Sequence, residues 1–115
     1  ILMKVGGIYL TTTSERKGKN DYIINIAQNG GNMFYFILEN ISVNSNDGIN
    51  AAIQEFKQSH HNFTYDEFSY CDVTQVRQDF FDGYLGQVDD ENLKYLKDKF
   101  QNLFLIFMNS LIKMK

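Results

Sequence analysis

The sequence predicts one α+β domain over residues 1–115, with a small antiparallel sheet and a long C-terminal helix. Three observations carry that expectation. Two strand-like runs flank Asn29-Gly30-Gly31-Asn32, a strong hairpin turn signal. A run after Asp47 places Ile49, Ile53 and Phe56 at the 3-to-4 spacing of one helix face. The last quarter of the chain repeats Leu93, Leu96, Phe100, Leu103 or Phe104, Phe107 and Leu111 as a continuous stripe.

The elements follow in order. Lys4 to Thr13 reads as a strand, with Val5, Ile8, Tyr9 and Leu10 suited to a pleated surface. Gly6-Gly7 predicts a bulge or a close backbone approach near its start. Ser14 to Asp21 is polar and reads as an exposed loop. Tyr22 to Gln28 is the second strand and Met33 to Leu38 the third. The continuous apolar run of the third predicts an interior place in the sheet. Asp47 is the expected cap of a helix over Gly48 to Ser59, ended by His60-His61-Asn62. Phe68 to Val76 is a further strand, and Gln78 to Gly86 a turn or short helix. The final helix is expected from about Asp89 to Ile112, with Asp89, Asp90 and Glu91 complementing its dipole.

Composition narrows the function classes. Hydrophobic residues make up 43% of the chain, enough for an ordinary core and against overall disorder. Cys71 is the single cysteine, so no intrachain disulfide or Cys-rich zinc site can form. A reducing, cytoplasmic setting is expected on that ground. No apolar stretch reaches the roughly 20 residues that span a bilayer, so no membrane span is expected. Pro and Trp are absent. Frequent Asn, Ile and Lys with little Ala suggest AT-rich coding DNA, as in many mobile elements.

Charge is uneven. Residues 1–31 hold four bases against two acids, and the remainder seven against twelve. The acids concentrate between Asp66 and Glu91, where Arg77 is the only opposing base. The plain reading of these acids is a solvated face and a helix start. The alternative is a surface for a basic nucleic-acid-binding protein, with Asp79 and Asp82 at its centre. The basic loop Arg16, Lys17 and Lys19 is the one place where an RNA phosphate would bind.

Nucleotide-loop, zincin, hydrolase-elbow and EF-hand motifs are missing. His60-His61 with Asp66 and Glu67 is the nearest approach to a metal set. Adjacent helical residues point about 100° apart, so no metal or cofactor is expected. From Leu103 to Met108 the last helix is apolar on every side. Such a segment is buried by a second copy, within its own subunit or at a membrane surface; a homodimer is the expectation, with Leu103, Phe104, Phe107 and Leu111 as its contacts.

Two segments resemble the MazF/PemK family of toxin endoribonucleases. The opening Gly7-Ile8-Tyr9-Leu10, followed by a basic loop and Tyr22-Ile23-Ile24-Asn25-Ile26, is similar to that family's "GDIYLV" start. The closing Val76-Arg77-Gln78-Asp79 and Leu85-Gly86-Gln87-Val88-Asp89-Asp90-Glu91-Asn92-Leu93 are similar to its "VRTID…RL…G.LS.EEL" segment. Where the family carries an Arg-Pro pair, this chain has Lys19-Asn20-Asp21. The resemblance implies an SH3-like barrel, a homodimer, an antitoxin protein as partner, and metal-independent cleavage of single-stranded RNA. It implies Arg16 and Ser42 as the catalytic residues; Lys17 and Lys19 are the expected RNA contacts from the basic loop itself. The competing readings are a non-enzymatic inhibitor or adaptor of mobile-element origin using the acidic face, and a structural dimer module.

Overall fold

The computed structural model describes residues 4–11, 18–29, 32–59, 68–72 and 83–113. Seven elements follow one another: β1 (Gly7–Leu10), β2 (Asn20–Asn29), β3 (Asn32–Ile41), α1 (Asn46–Ser59), β4 (Phe68–Asp72), β5 (Tyr84–Gln87) and α2 (Asp90–Lys113). The architecture is α+β. One five-stranded sheet in the order β4-β3-β2-β1-β5 is antiparallel throughout. Among the described residues it is open, with β4 and β5 at its edges.

The β2–β3 hairpin forms the centre. Its register pairs Asn29 with Asn32 at the turn and Asn20 with Ile41 at the far end. Both strands are ten residues long, longer than their apolar runs. Asn20-Asp21 and Glu39-Asn40-Ile41 extend the ladder because backbone pairing needs no apolar side chain. The expected loop before Tyr22 therefore stops short of Asn20. β3 lies between β2 and β4, an interior strand.

β5 corrects the expectation of a turn or short helix over Gln78 to Gly86. Gly83 makes the turn, and Tyr84–Gln87 pairs with β1. The sequence Tyr-Leu-Gly-Gln is too short to show a strand period, and its pairing partner lies more than seventy residues away. Gly86 also permits a close approach. A Cβ there would stand 2.8 Å from the Asn46 Cγ at the start of α1.

The two sheet faces are buried differently. Ile8, Tyr22, Ile24, Ile26, Phe36 and Leu38 form one core with Ile49 and Ile53 of α1 and Leu96 and Phe100 of α2. A side chain such as Ile53, fully buried, contributes about 1.5–3 kcal/mol to that core. Phe36 packs edge-on to Phe56 at 5.1 Å, and Phe68 bridges Phe36 and Phe100 at 5.5 Å each. These rings tie β3, β4, α1 and α2 together. The opposite face buries Tyr9, Ile23 and Met33, with Tyr35 and Ile37 partly covered.

The start of α1 is capped by a side chain. The Ser45 Oγ accepts the Gly48 N–H at 3.1 Å, and Ser45 O accepts the Ile49 N–H at 2.9 Å. Ser45 is thus the cap of α1, and Asp47 lies inside the first turn. Asp89 stands just before α2, and its carbonyl accepts the first helical bond from the Leu93 N–H at 2.9 Å. No helix among the described residues is long and apolar enough to cross a membrane.

Candidate functional site

The antiparallel register decides which loops share an end of the sheet. Asn20 faces Ile41, so the segment entering β2 and the segment leaving β3 lie side by side. Thr11 joins them, because its N–H and its hydroxyl both donate to the Asp21 carbonyl at 3.1 Å. The expected RNA-binding Lys19 is exposed at this end. The expected catalytic Ser42 is exposed there too, one residue past Ile41. Arg16 and Lys17 lie outside the described residues. So do Asp79, Asp82, His60 and His61. The backbone of α2 runs through Leu103, Phe104, Phe107 and Leu111, but their side chains lie outside the described residues.

The turn after β3 is fixed by polar contacts. Asn40 adopts a left-handed conformation with φ of 60°, which Asn tolerates better than most residues. Its N–H donates to the Asp21 carboxylate at 3.0 Å. Tyr22 is buried against the helix-covered core, yet its hydroxyl reaches the loop. It donates to the Val43 carbonyl at 3.1 Å and lies 3.3 Å from the Asn44 Oδ1. Burial pushes the Tyr22 phenol above its usual range, with a hydrogen bond to the Asn20 side chain pulling the other way. Tyr22 is therefore a neutral donor that holds the 42–45 segment to the sheet.

That segment faces α1 across an open groove of about 340 Å³. Its lining is Asn40, Ile41, Ser42, Val43, Gly48, Ala51, Ala52 and Glu55. Gly48 is needed for the close fit, since a Cβ there would lie 3.0 Å from Val43 Cβ. Ala51 and Glu55 are four residues apart and so share one side of the helix. Among the described residues the lining holds one carboxylate, one carboxamide and one hydroxyl, and no lysine or arginine. Positive charge at this end comes from the other flank, where Lys19 enters β2. Sequence reading had singled out neither Asn40 nor Glu55. Asn40 sits at the end of an apolar run, and a lone Glu in a helical segment carries no signal of its own.

Comparison with family models, curated proteins and solved structures gives no match.

Two further polar clusters stand away from the groove. Between the helices, the buried Asn50 accepts the Asp89 N–H at 2.7 Å and donates to the Gln87 carbonyl at 3.3 Å. The buried Asn92 donates to Asn50 Oδ1 at 3.2 Å. Its own Oδ1 accepts from Gln54 at 2.6 Å and Lys57 at 3.0 Å. Lys57 also lies 4.7 Å from the Tyr95 ring centre. On the opposite sheet face, Tyr9 lies flat over Gly7, whose missing Cβ makes the room. Its hydroxyl accepts the Lys4 N–H at 2.9 Å. Burial, and to a lesser extent Tyr84, raise the Tyr9 phenol, while the Lys4 N–H lowers it. Among the described residues, no three His, Cys, Asp or Glu side chains gather where a metal ion could bind.

Proposed function

We propose that the protein is a metal-independent endoribonuclease of the MazF/PemK type, cleaving single-stranded RNA at the sheet end that carries Lys19 and Ser42. The observation that supports this reading is the β2–β3 register, in which Asn20 faces Ile41. Ser42 and the close of the basic loop thereby become neighbours, although twenty-two residues separate Lys19 from Ser42. Arg16 stands three residues before Lys19 in the same loop.

In this mechanism the ribose 2′-oxygen attacks the adjacent phosphorus. The P–O5′ bond breaks, leaving a 2′,3′-cyclic phosphate and a 5′-hydroxyl. The 2′-hydroxyl proton leaves as the new bond forms, and the departing 5′-oxygen takes up a proton. Arg16 stabilises the charge on the pentavalent phosphorus, and Ser42 holds a phosphate oxygen. Lys17 and Lys19 bind the flanking phosphates. The strand order also supports the SH3-like barrel, since the last strand returns beside the first. Coiling of the twisted sheet would bring β4 and β5 together. The proposal includes a homodimer through Leu103, Phe104, Phe107 and Leu111, an antitoxin protein that covers the groove, and action in the cytoplasm.

The test is cleavage of a single-stranded RNA by purified protein in the presence of a chelator. Cleavage with cyclic-phosphate ends is expected. Arg16→Ala is expected to lower its rate by about 100-fold or more, the scale of a lost transition-state donor. An inactive wild type, or an Arg16→Ala variant of undiminished rate, overturns the proposal.

A further inference from the structure

The groove runs from Ser42 to Glu55, and its Glu55 end has a chemistry that suits a base better than a phosphate. Glu55 supplies a carboxylate, and among the described residues no lysine or arginine lines the groove. A phosphate set there would face that carboxylate in a partly enclosed space, where repulsion is stronger than in water. The apolar lining of the groove is Ile41, Val43, Ala51 and Ala52, side chains against which the face of a planar ring can pack. The volume of about 340 Å³ is at the lower end for small-molecule sites. The occupant that matches is therefore planar, uncharged and rich in N–H donors.

We infer that this groove is a base-reading subsite, in which Glu55 selects an unstacked guanine of single-stranded RNA; the inference rests on the endoribonuclease reading above and names its sequence preference. Guanine alone among the four bases presents two adjacent donors on its Watson–Crick edge, N1–H and N2–H. A carboxylate accepts such a pair through both oxygens, as it accepts the fork of an arginine. Adenine and cytosine offer one amino group beside an acceptor nitrogen. Uracil offers one N–H between two carbonyls. Each of these sets a lone pair against the Glu55 carboxylate. Unstacked bases read on this edge are the usual mode of sequence-specific RNA recognition.

The division of charge fits this placement. Glu55 lies on the helix side of Ser42, and Lys19 lies on the sheet side. A nucleotide whose base enters the groove leaves its phosphate at Ser42 and the basic loop. Glu55 is exposed, and among the described residues its carboxylate makes no hydrogen bond. It is a specificity residue here and takes no part in the bond-breaking step.

The experiment uses 2′-O-methyl RNA pentamers, which lack the attacking hydroxyl and stay intact. One carries a single guanine, and the others carry adenine or inosine at that position. Fluorescence anisotropy with wild-type protein is expected to give roughly 10- to 100-fold tighter binding for guanine than adenine, the scale of one bidentate base contact. Inosine, which lacks the N2 amino group, should fall between them. Glu55→Gln, with one acceptor in place of two, should remove the preference and leave the melting temperature unchanged. Equal binding of guanine and adenine pentamers by the wild type overturns the inference, as does a preference retained by Glu55→Gln. Free guanosine 5′-monophosphate binding as tightly as the guanine pentamer would reassign the groove to a mononucleotide and also overturn it. Selective binding without RNA cleavage would uphold the subsite and overturn the endoribonuclease reading. Cleavage indifferent to guanine would do the reverse.

Discussion

Helix α1 carries polar residues on two sides, and they are used in opposite ways. On the side facing α2, Asn50 and Gln54 are bonded, together with Lys57, into a network around Asn92. On the side facing the loop after β3, Glu55 stands over an open groove with Ser42 and Asn40. The two sets are interleaved in sequence, and Gln54 and Glu55 are neighbours. The difference is satisfaction. A buried polar group costs free energy unless it is bonded, so the first set holds the helices in register and is architecture. The second set is solvated, loses nothing by being open, and is available to a ligand.

The sharpest way to break this division is Asn92→Ala. It removes the acceptor of Gln54 and Lys57 and the donor to Asn50 in one step. With Asn92 wholly buried, a destabilisation of about 2–3 kcal/mol is expected in urea unfolding. RNA binding per folded molecule should not change, because none of these atoms lines the groove. A variant as stable as wild type would mean the inter-helix network contributes no architecture. A variant of normal stability but altered binding would erase the distinction between the two sides.

A smaller effect is expected where the two regions touch, at Tyr22. Tyr22→Phe keeps the ring in the core and deletes the hydroxyl that holds Val43 and Asn44. The loss should be about 1 kcal/mol, the net value of a typical hydrogen bond. Amide exchange at Val43 and Asn44 should rise more than exchange in α2. Uniform changes across the chain would show that the phenol stabilises the core alone and does not tether the groove.

How far each region was legible follows from the range of the interactions that make it. The β2–β3 hairpin is local, with a turn signal and apolar runs on either side, and the sequence reading matched it apart from its ends. α1 was legible through Ile49 and Ile53, but its cap was assigned to Asp47, since Asp and Ser are both good caps and only the backbone decides for Ser45. β5 was missed because its partner is β1, and a four-residue strand has too few positions to reveal a period. Asn50 and Asn92 gave no signal, because a buried amide looks like any surface amide until its neighbour on another helix is known. Lys19 was named from the basic loop and Ser42 from the family resemblance, and the hairpin register puts both at one sheet end. Asn40 and Glu55 could not be named, since the groove exists only once α1 packs beside the end of β3.

The smallest expected effect compares the two sheet faces through their tyrosines. Burial raises both phenols, Tyr22 on the helix-covered face and Tyr9 on the other, above the ordinary value of 10.0. In the unfolded chain each loses its proton near that ordinary value, whereas the folded chain retains it to higher pH. Above about pH 10 the folded state thus binds more protons than the unfolded state, and stability falls as pH rises. Below that range both states are protonated, and these groups give no slope. Urea midpoints should therefore show no tyrosine-dependent slope between about pH 8 and pH 10, and decline above it through the raised folded values. The informative quantity is the difference between wild type and a Phe variant. Tyr22→Phe and Tyr9→Phe should each make the decline shallower than in wild type. A variant whose midpoint falls as steeply as that of wild type would mean that its phenol ionises equally in both states, and that its face of the sheet admits water at the hydroxyl.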